Sequence, residues 1–350
     1  MASGFIVFLI RRIINVFIVL FSILALTLAL LGPTLDKVIV ESVKNNIIDS
    51  VIFDNIKFNS IQERQKYIDD RIDREISNLG LDEPWYSPNR FINTIFKVMI
   101  LDLGKSNFFL SENGSSYVKE IIFEKVPKTL LLFSTSTIII AVIGIYFGAF
   151  LANKAGSGWD KINSVFAVFS NSIPVWWIGM IMIFIFAFLY PIFPARSTPE
   201  TLSSEPYYIL DLLYHMTLPL ITMVMIGFGS LAYVVRYLFL GILNEDFIKA
   251  KYAMGIPKKK IVYSHALRNV SPPIVTIVAL GLASSFGGAF TVEAVFDWPG
   301  MGKLYFDAIG LMDVPIIIGL TYISSLIFLI TIFLTDILYA YFDPRVKVGE

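Results

Sequence analysis

The sequence predicts an all-α integral membrane protein with six transmembrane helices and a mainly helical insertion between the first and second. Three observations carry this expectation. The chain of 350 residues is 56% hydrophobic and 16% charged, with a mean hydropathy of +0.70, whereas soluble domains carry about 25% charge. Six apolar runs, 13–31, 129–152, 165–190, 216–235, 271–292 and 316–341, approach or exceed the ~20 residues needed to cross a hydrocarbon core about 30 Å thick. The charge is also segregated. Residues 33–128 hold 28 of the 56 charged side chains, 13 basic and 15 acidic. The net charge of zero gives no global field for nucleic acid. The absence of cysteine removes disulfides, thiolate metal sites and cysteine nucleophiles together.

Residues 1–32 form an N-terminal helix carrying the first span. The run is longer than a signal-peptide core, and Leu31-Gly32-Pro33 is a poor small-x-small cleavage site, so it reads as a retained span. The charge density of 33–128 places that insertion in water. It has helical periodicity: Ile61, Ile68, Ile72, Ile76 and Leu79 share a face, with Ser60 and Glu63 as a capping box before it. Phe91, Ile92, Ile95, Phe96, Met99 and Ile100 form a second amphipathic stripe, stopped by Gly104. Such a cap can pack on the membrane domain and still offer a docking surface. Asn113-Gly114-Ser115 matches the glycosylation sequon, a three-residue pattern of low specificity. Residues 129–342 form a five-helix core, and 343–350 a short tail.

Orientation follows from Lys and Arg in short loops. One set of ends carries Arg11, Arg12, Lys154, Lys161, Arg236, Lys249, Lys251, Lys258, Lys259, Lys260, Arg268, Arg345 and Lys347; the opposite short loops carry only Arg196 and Lys303. Both termini and the 236–270 loop are therefore expected in the cytoplasm, and 33–128 outside it.

Within the spans, Asp336 and Arg236 are the exceptions to an almost complete lack of ionisable groups, and both fall near cytoplasmic helix ends. Asp336 reads most simply as an interfacial carboxylate, with a pair to Arg236 as the alternative. Ion-coupled carriers usually keep carboxylates or histidines at mid-membrane. The fifth span is rich in small residues, including Ser284, Ser285, Gly287 and Gly288. Such residues permit close helix packing and equally a pore-lining, rearranging helix.

No catalytic signature is present: His-Glu-x-x-His, Gly-x-Ser-x-Gly and a Walker A loop are all missing, and His215 and His265 alone cannot make a histidine metal cluster. The chain reads as a non-enzyme with no metal or cofactor of its own. Gly300-Met301-Gly302-Lys303 looks like part of a phosphate loop but lacks its leading glycine. Gly227-Phe228-Gly229-Ser230-Leu231-Ala232 resembles a dinucleotide fingerprint but lies inside a transmembrane run without a preceding strand.

The informative segment is 244–269. It reads as helix, sharp turn, helix. Phe247, Ala250 and Met254 fall at helical spacing, with Ala253 and Ile256 beside them. Gly255 is placed to take the left-handed conformation that ends the first helix, and Pro257 to start the second. Lys258, Lys259 and Lys260 then face water or lipid head groups. A compact apolar knuckle of this kind suits a groove on another protein; an interfacial amphipathic hairpin is the plainer alternative.

This segment resembles the EAA loop of ABC-importer permeases at Ala250, Ala253, Gly255, Ile261 and Leu267. The rest of the chain resembles the dipeptide/oligopeptide permease family, B-type subunit. Leu101-Asp102-Leu103-Gly104-Lys105-Ser106 is similar to its Gly-Asp-Leu-Gly-x-Ser segment, with Leu101 where the family usually has Gly. Val126-Pro127-Lys128-Thr129-Leu130, Ser172-Ile173-Pro174 and Phe193-Pro194 match further segments. Glu293, Phe296, Trp298, Pro299, Gly300 and Gly302 match an outer re-entrant loop, and Asp343-Pro344-Arg345 the C-terminal pattern. The 33–128 insertion is longer than usual for the family.

The resemblance implies the type I ABC-importer permease fold and half of a translocation path for di- or oligopeptides. It also implies a second homologous permease, two ATPase subunits that carry the ATP and Mg, and an external substrate-binding protein. Phe247, Ala250, Met254 and Gly255 would then make the ATPase contact, while Ser284, Ser285, Gly287 and Gly288 line or gate the path. Related importers in this family take oligosaccharides or nickel chelates. A self-sufficient channel or secondary carrier and a membrane assembly scaffold are the competing classes.

Overall fold

A computed structural model describes residues 2–53, 58, 60–78, 80–285 and 290–342, without the side chains of 2–6, 8, 53, 283–285 and 338–342. In chain order the helices are α1 (Ala2–Phe53), α2 (Ile61–Asn78), α3 (Pro88–Met99), α4 (Val118–Asn153), α5 (Gly158–Ser172) and α6 (Val175–Ile183), which runs into a π-helical turn, Phe184–Leu189. They continue with α7 (Tyr208–Leu243), α8 (Asp246–Ala253), α9 (Lys258–Lys260) leading into a second π turn (Ile261–Ala266), α10 (Leu267–Ser285), α11 (Phe290–Phe296), α12 (Met301–Leu311) and α13 (Val314–Phe342). Among the described residues the only β pairing is an isolated bridge between Lys105 and Tyr117.

Among the described residues, four helical stretches are long and apolar enough to cross a membrane: Leu9–Ile52, Val118–Asn153, Tyr208–Leu243 and Val314–Ile337. A fifth follows if the pair α5–α6 counts as one span, although it is bent by 99°. The apolar run 165–190 reads from sequence as one uninterrupted helix, and here the structure differs. Pro174 forces the preceding residue out of the helical region, and Ile173 is extended at φ −106°, ψ 128°. The run 271–292 is divided between α10 and α11, with 286–289 outside the described residues.

Pro33 does not end α1. The helix continues through it to Phe53, against a local cost of about 3 kcal/mol for an interior proline. Packing beyond the proline offsets that cost. Val51 and Ile47 of α1 are buried against Ile68 and Ile72 of α2. Ile76 joins them as expected, but Ile61, at the first position of α2, is 88% exposed. Leu79 lies outside the described residues. The Ser60 arm of the predicted capping box is present, with the Glu63 N–H donating to Ser60 Oγ at 3.1 Å.

The stripe of α3 ends before Gly104. Its last turn closes with the Leu101 N–H on Val98 O and the Asp102 N–H on Lys97 O, the paired bonds of a Schellman cap. Leu101 itself takes the left-handed position at φ 64°. That is the position where the peptide-permease pattern usually carries glycine.

The described residues divide into two compact units: one drawn from 2–10, 125–306 and 327–342, the other from 11–124 and 307–326. In the first, α7 packs against α5, α6 and α10. Two apolar clusters hold this unit. One centres on Val235, Phe239, Ile248, Ile261 and Val262, the other on Leu132, Met216, Phe296 and Trp298. In the second, Asp313 anchors the start of α13. Its Oδ2 accepts the Ser106 hydroxyl at 2.6 Å and the Asn107 and Phe108 N–H groups at 3.1 and 3.2 Å, while Oδ1 accepts the Ile316 N–H.

Candidate functional site

The 244–269 segment folds as a knuckle. Its first helix, α8, is fixed by Ile248, which is wholly buried; Ile261, Val262 and Ala266 of the returning arm are equally buried in the same cluster. The neighbouring side chains point away from that anchor. Phe247 is 42% and Met254 75% exposed, and Ala250, Ala253 and Gly255 are exposed as well. Ile256 is half-buried and packs against the anchor cluster.

Gly255 makes the turn. It sits at φ 77°, and the Gly255 N–H donates to Tyr252 O while the Ile256 N–H donates to Lys251 O. These are again the two bonds of a Schellman cap. A β-carbon at Gly255 would meet open space, so backbone conformation alone demands the glycine. Pro257 is the N-cap of the returning helix rather than its first helical residue. Of the three lysines that follow, Lys258 also donates to the backbone oxygen of Asn153, the last residue of α4, at 2.8 Å. A cation at a helix C-terminus is favourable there. The arm then widens into the π turn, which the sequence pattern did not foretell.

Arg236 has a partner, but not Asp336. It pairs with Asp160 of α5: Nη2 lies 2.7 Å from Oδ2, and Nε faces Oδ1. Asp160 also accepts the Gly156 N–H at 2.8 Å. The available signal was an acidic residue in the first turn of a helix, where a carboxylate is favoured.

The 293–303 segment is built on the opposite plan. Glu293, Phe296, Trp298, Gly300 and Gly302 are all buried, and Pro299 is half-buried. Glu293 Oε2 accepts the Gly302 N–H at 2.6 Å and the Lys303 N–H at 3.3 Å, at the N-terminus of α12. The resemblance of Gly300-Met301-Gly302-Lys303 to a phosphate loop thus has a physical basis: a helix N-terminus attracts an anion, and the chain's own carboxylate fills the place. A β-carbon at Gly300 would overlap that carboxylate, and one at Gly302 would lie 2.7 Å from Phe290 Cα. Burial pushes the Glu293 carboxyl up to about 7, against the lowering effect of the Thr129 hydroxyl and the two N–H groups. Thr129, which the sequence reading placed in the Val126–Leu130 match without a role, also accepts the Met301 N–H at 2.8 Å. Trp298 Nε1 donates to Lys128 O at 3.0 Å. Lys303 Nζ reaches Asp297 Oδ1 at 3.0 Å.

Ser284 and Ser285 end α10, but their side chains lie outside the described residues. Gly287, Gly288 and Asp343-Pro344-Arg345 lie outside them altogether. The described geometry therefore presents one outward-facing apolar knuckle and one turn that bonds most of its polar groups within the chain, with Glu293 Oε1 buried and without a hydrogen-bond partner.

Residues 144–348 match the family model described as binding-protein-dependent transport system inner membrane component. The chain is 33% identical over 277 residues to the oligopeptide transport system permease protein AppB of Bacillus subtilis (strain 168), covering 79% of this chain and 85% of that protein. It is 29% identical over 286 residues to the dipeptide transport system permease protein DppB of Alkalihalophilus pseudofirmus, covering 77% and 84%. The protein of the same name from Escherichia coli (strain K12) is 28% identical over 291 residues, covering 78% and 84%. These matches extend over most of both chains, and the apolar helices agree with them. The chain belongs to the dipeptide/oligopeptide permease family of ABC transporters, as a multi-pass membrane transport component and not a catalytic enzyme.

Proposed function

We propose that this chain is one of two permease subunits that together form the path of an ATP-driven importer for di- and oligopeptides. An external binding protein delivers the peptide. Two ATPase subunits, which hold the ATP and Mg, dock on the 244–269 knuckle. When they close on ATP they draw the two knuckles together, and a rigid-body movement switches the spans between inward and outward access. In this reading the chain crosses the membrane six times, with both termini in the cytoplasm and 33–128 outside. Ser284, Ser285, Gly287 and Gly288 line or gate the path, and the 33–128 cap and 293–315 face the binding protein. The chain itself holds no cofactor.

The knuckle carries the proposal. Exposed Phe247, Ala250 and Met254 stand on a fully buried Ile248–Ile261 anchor beside a rigid glycine turn. A fixed apolar projection of this kind transmits force by shape, without chemistry of its own. The printed names of AppB and DppB, which concern oligopeptide and dipeptide transport, support the substrate class.

The direct test is purification in mild detergent with identification of every co-purifying chain. The expected result is a second permease together with Walker-motif ATPases. Recovery of this chain alone, under conditions that keep a known importer intact, would contradict the proposal in favour of a self-sufficient carrier.

A further inference from the structure

Helix α3 carries three stripes. Ile95 and Val98 are buried against the chain, with Phe91 partly so. Next to them Ile92, Phe96 and Ile100, four residues apart, are 46%, 62% and 73% exposed. Beyond these run Asn89, Asn93 and Lys97, also exposed. The apolar surface of α3 is therefore about twice as wide as the face its own chain covers. A polar edge borders the uncovered half.

Both ends of α3 are tied to membrane-spanning helices. At its N-terminal end Arg90 pairs with Asp36 of α1, five positions beyond the first apolar run. In the turn just before it, Trp85 packs on Gly32 so closely that a β-carbon there would lie 2.7 Å from the indole. At its C-terminal end the Tyr322 hydroxyl of α13 donates to Met99 O at 2.8 Å. Tyr322 is six residues into the last apolar run, about 9 Å along the helix axis from its start. The outer part of α13 is enclosed: Val314, Ile316, Leu320, Tyr322 and Ile323 are each at most 3% exposed. Whatever covers that stretch of a spanning helix stands at membrane depth, and α3 is bonded to it there.

We propose that α3 is an interfacial helix whose Ile92, Phe96 and Ile100 stripe is immersed in a lipid leaflet, with Asn93 and Lys97 at the head groups. It would hold the 33–128 segment down on the bilayer. Attachment at both ends to apolar spanning helices favours lipid as the cover; a protein neighbour within the membrane is the alternative that the labels below distinguish. The long side chain of Lys97 can place its ammonium among lipid phosphates while its stem stays apolar. Which leaflet is occupied rests on the orientation proposed above; immersion itself does not.

The chain has no native cysteine, so single nitroxide labels can be placed cleanly. Full-length Phe96→Cys, Ile100→Cys, Asn93→Cys and Lys97→Cys, purified with whatever subunits accompany the chain and reconstituted in phosphatidylcholine/phosphatidylglycerol vesicles, are compared by relaxation with oxygen and with a water-soluble nickel chelate. The expected result is oxygen-dominated relaxation at 96 and 100 and nickel-dominated relaxation at 93 and 97. Nickel-dominated relaxation at 96 and 100 would overturn the proposal by placing the stripe in water. Immobilised labels reached by neither agent would overturn it in favour of a protein cover. Ile92→Cys replaces either apolar site if that variant does not fold. An impermeant thiol reagent acting on unlabelled Lys97→Cys reads sidedness separately, so an error in orientation leaves the depth result standing.

Discussion

The knuckle at 244–269 and the turn at 293–303 both carry glycine and both follow an apolar run of the sequence. Their construction differs. The knuckle satisfies its backbone with the two bonds at Gly255 and leaves Phe247 and Met254 exposed. The 293–303 turn uses its polar groups internally: Glu293 caps α12, Trp298 bonds Lys128 O, and Thr129 takes the Met301 N–H. A segment that leaves apolar side chains exposed on a rigid base is suited to meet a partner. One that buries a carboxylate is suited to hold a shape. The two should therefore fail differently when altered, one in transport and the other in stability.

The largest effect is expected at the knuckle. Gly255→Val forces a β-branched residue into a left-handed turn, at a cost of at least about 1–2 kcal/mol. Ile248 and Ile261 continue to anchor the segment. Peptide uptake into vesicles should fall to background while the protein is still inserted at normal levels. Normal uptake would break the comparison.

The 293–303 turn should answer with stability. Glu293→Ala leaves the N–H groups of Gly302 and Lys303 without their acceptor, worth about 1–3 kcal/mol for a buried group. Thermal unfolding in detergent should register this loss. The same residue predicts a pH dependence. Its carboxyl titrates near 4.5 when unfolded and about 7 when folded, so the folded state holds the extra proton between those values. The stability it contributes is fully present below about 4.5, is lost as pH rises to about 7 and changes no further above that. Glu293→Gln keeps an acceptor for α12 and should flatten that slope. An unchanged slope in Glu293→Gln would assign the dependence to another group.

A smaller effect separates two turns of the same geometry. Gly255 and Leu101 both hold the left-handed position of a Schellman cap, at φ 77° and 64°. Only the second bears a side chain there. Leu101→Gly should raise thermal stability by about 1 kcal/mol, the strain of a side chain in that conformation. The smallest effect is expected at the Lys249–Asp246 pair on the knuckle, whose side chains are 66% and 96% exposed. Lys249→Ala should change stability by no more than a few tenths of a kcal/mol, as exposed pairs do.

Much of this was legible in sequence because it rests on local chemistry. Gly255 and the Ser60 cap follow from residue type and spacing alone. The bend at Ile173 was written in the Ser172-Ile173-Pro174 triplet, but the long apolar run around it masked the proline. Pro33 misleads in the other direction: the packing of Ile47 and Val51 on α2 carries the helix past it. The pairings of Asp160 and Asp313 were not legible. Their partners, Arg236 and Ser106, lie 76 and 207 positions away, and no local pattern links positions so far apart. Glu293 stood in a recognisable motif, but its role as an internal anion emerged only when α12 was seen to begin at its carboxylate.

The proposed function requires that ATPase subunits dock on the knuckle. Met254, 75% exposed in a chain without native cysteine, offers the most direct test. Met254→Cys carrying a short cross-linker in the assembled transporter should form an adduct with an ATPase subunit, with a yield that changes between nucleotide-free and ATP-bound states. A residue at 254 that stays open to water-soluble thiol reagents in both states and yields no ATPase adduct would contradict the account.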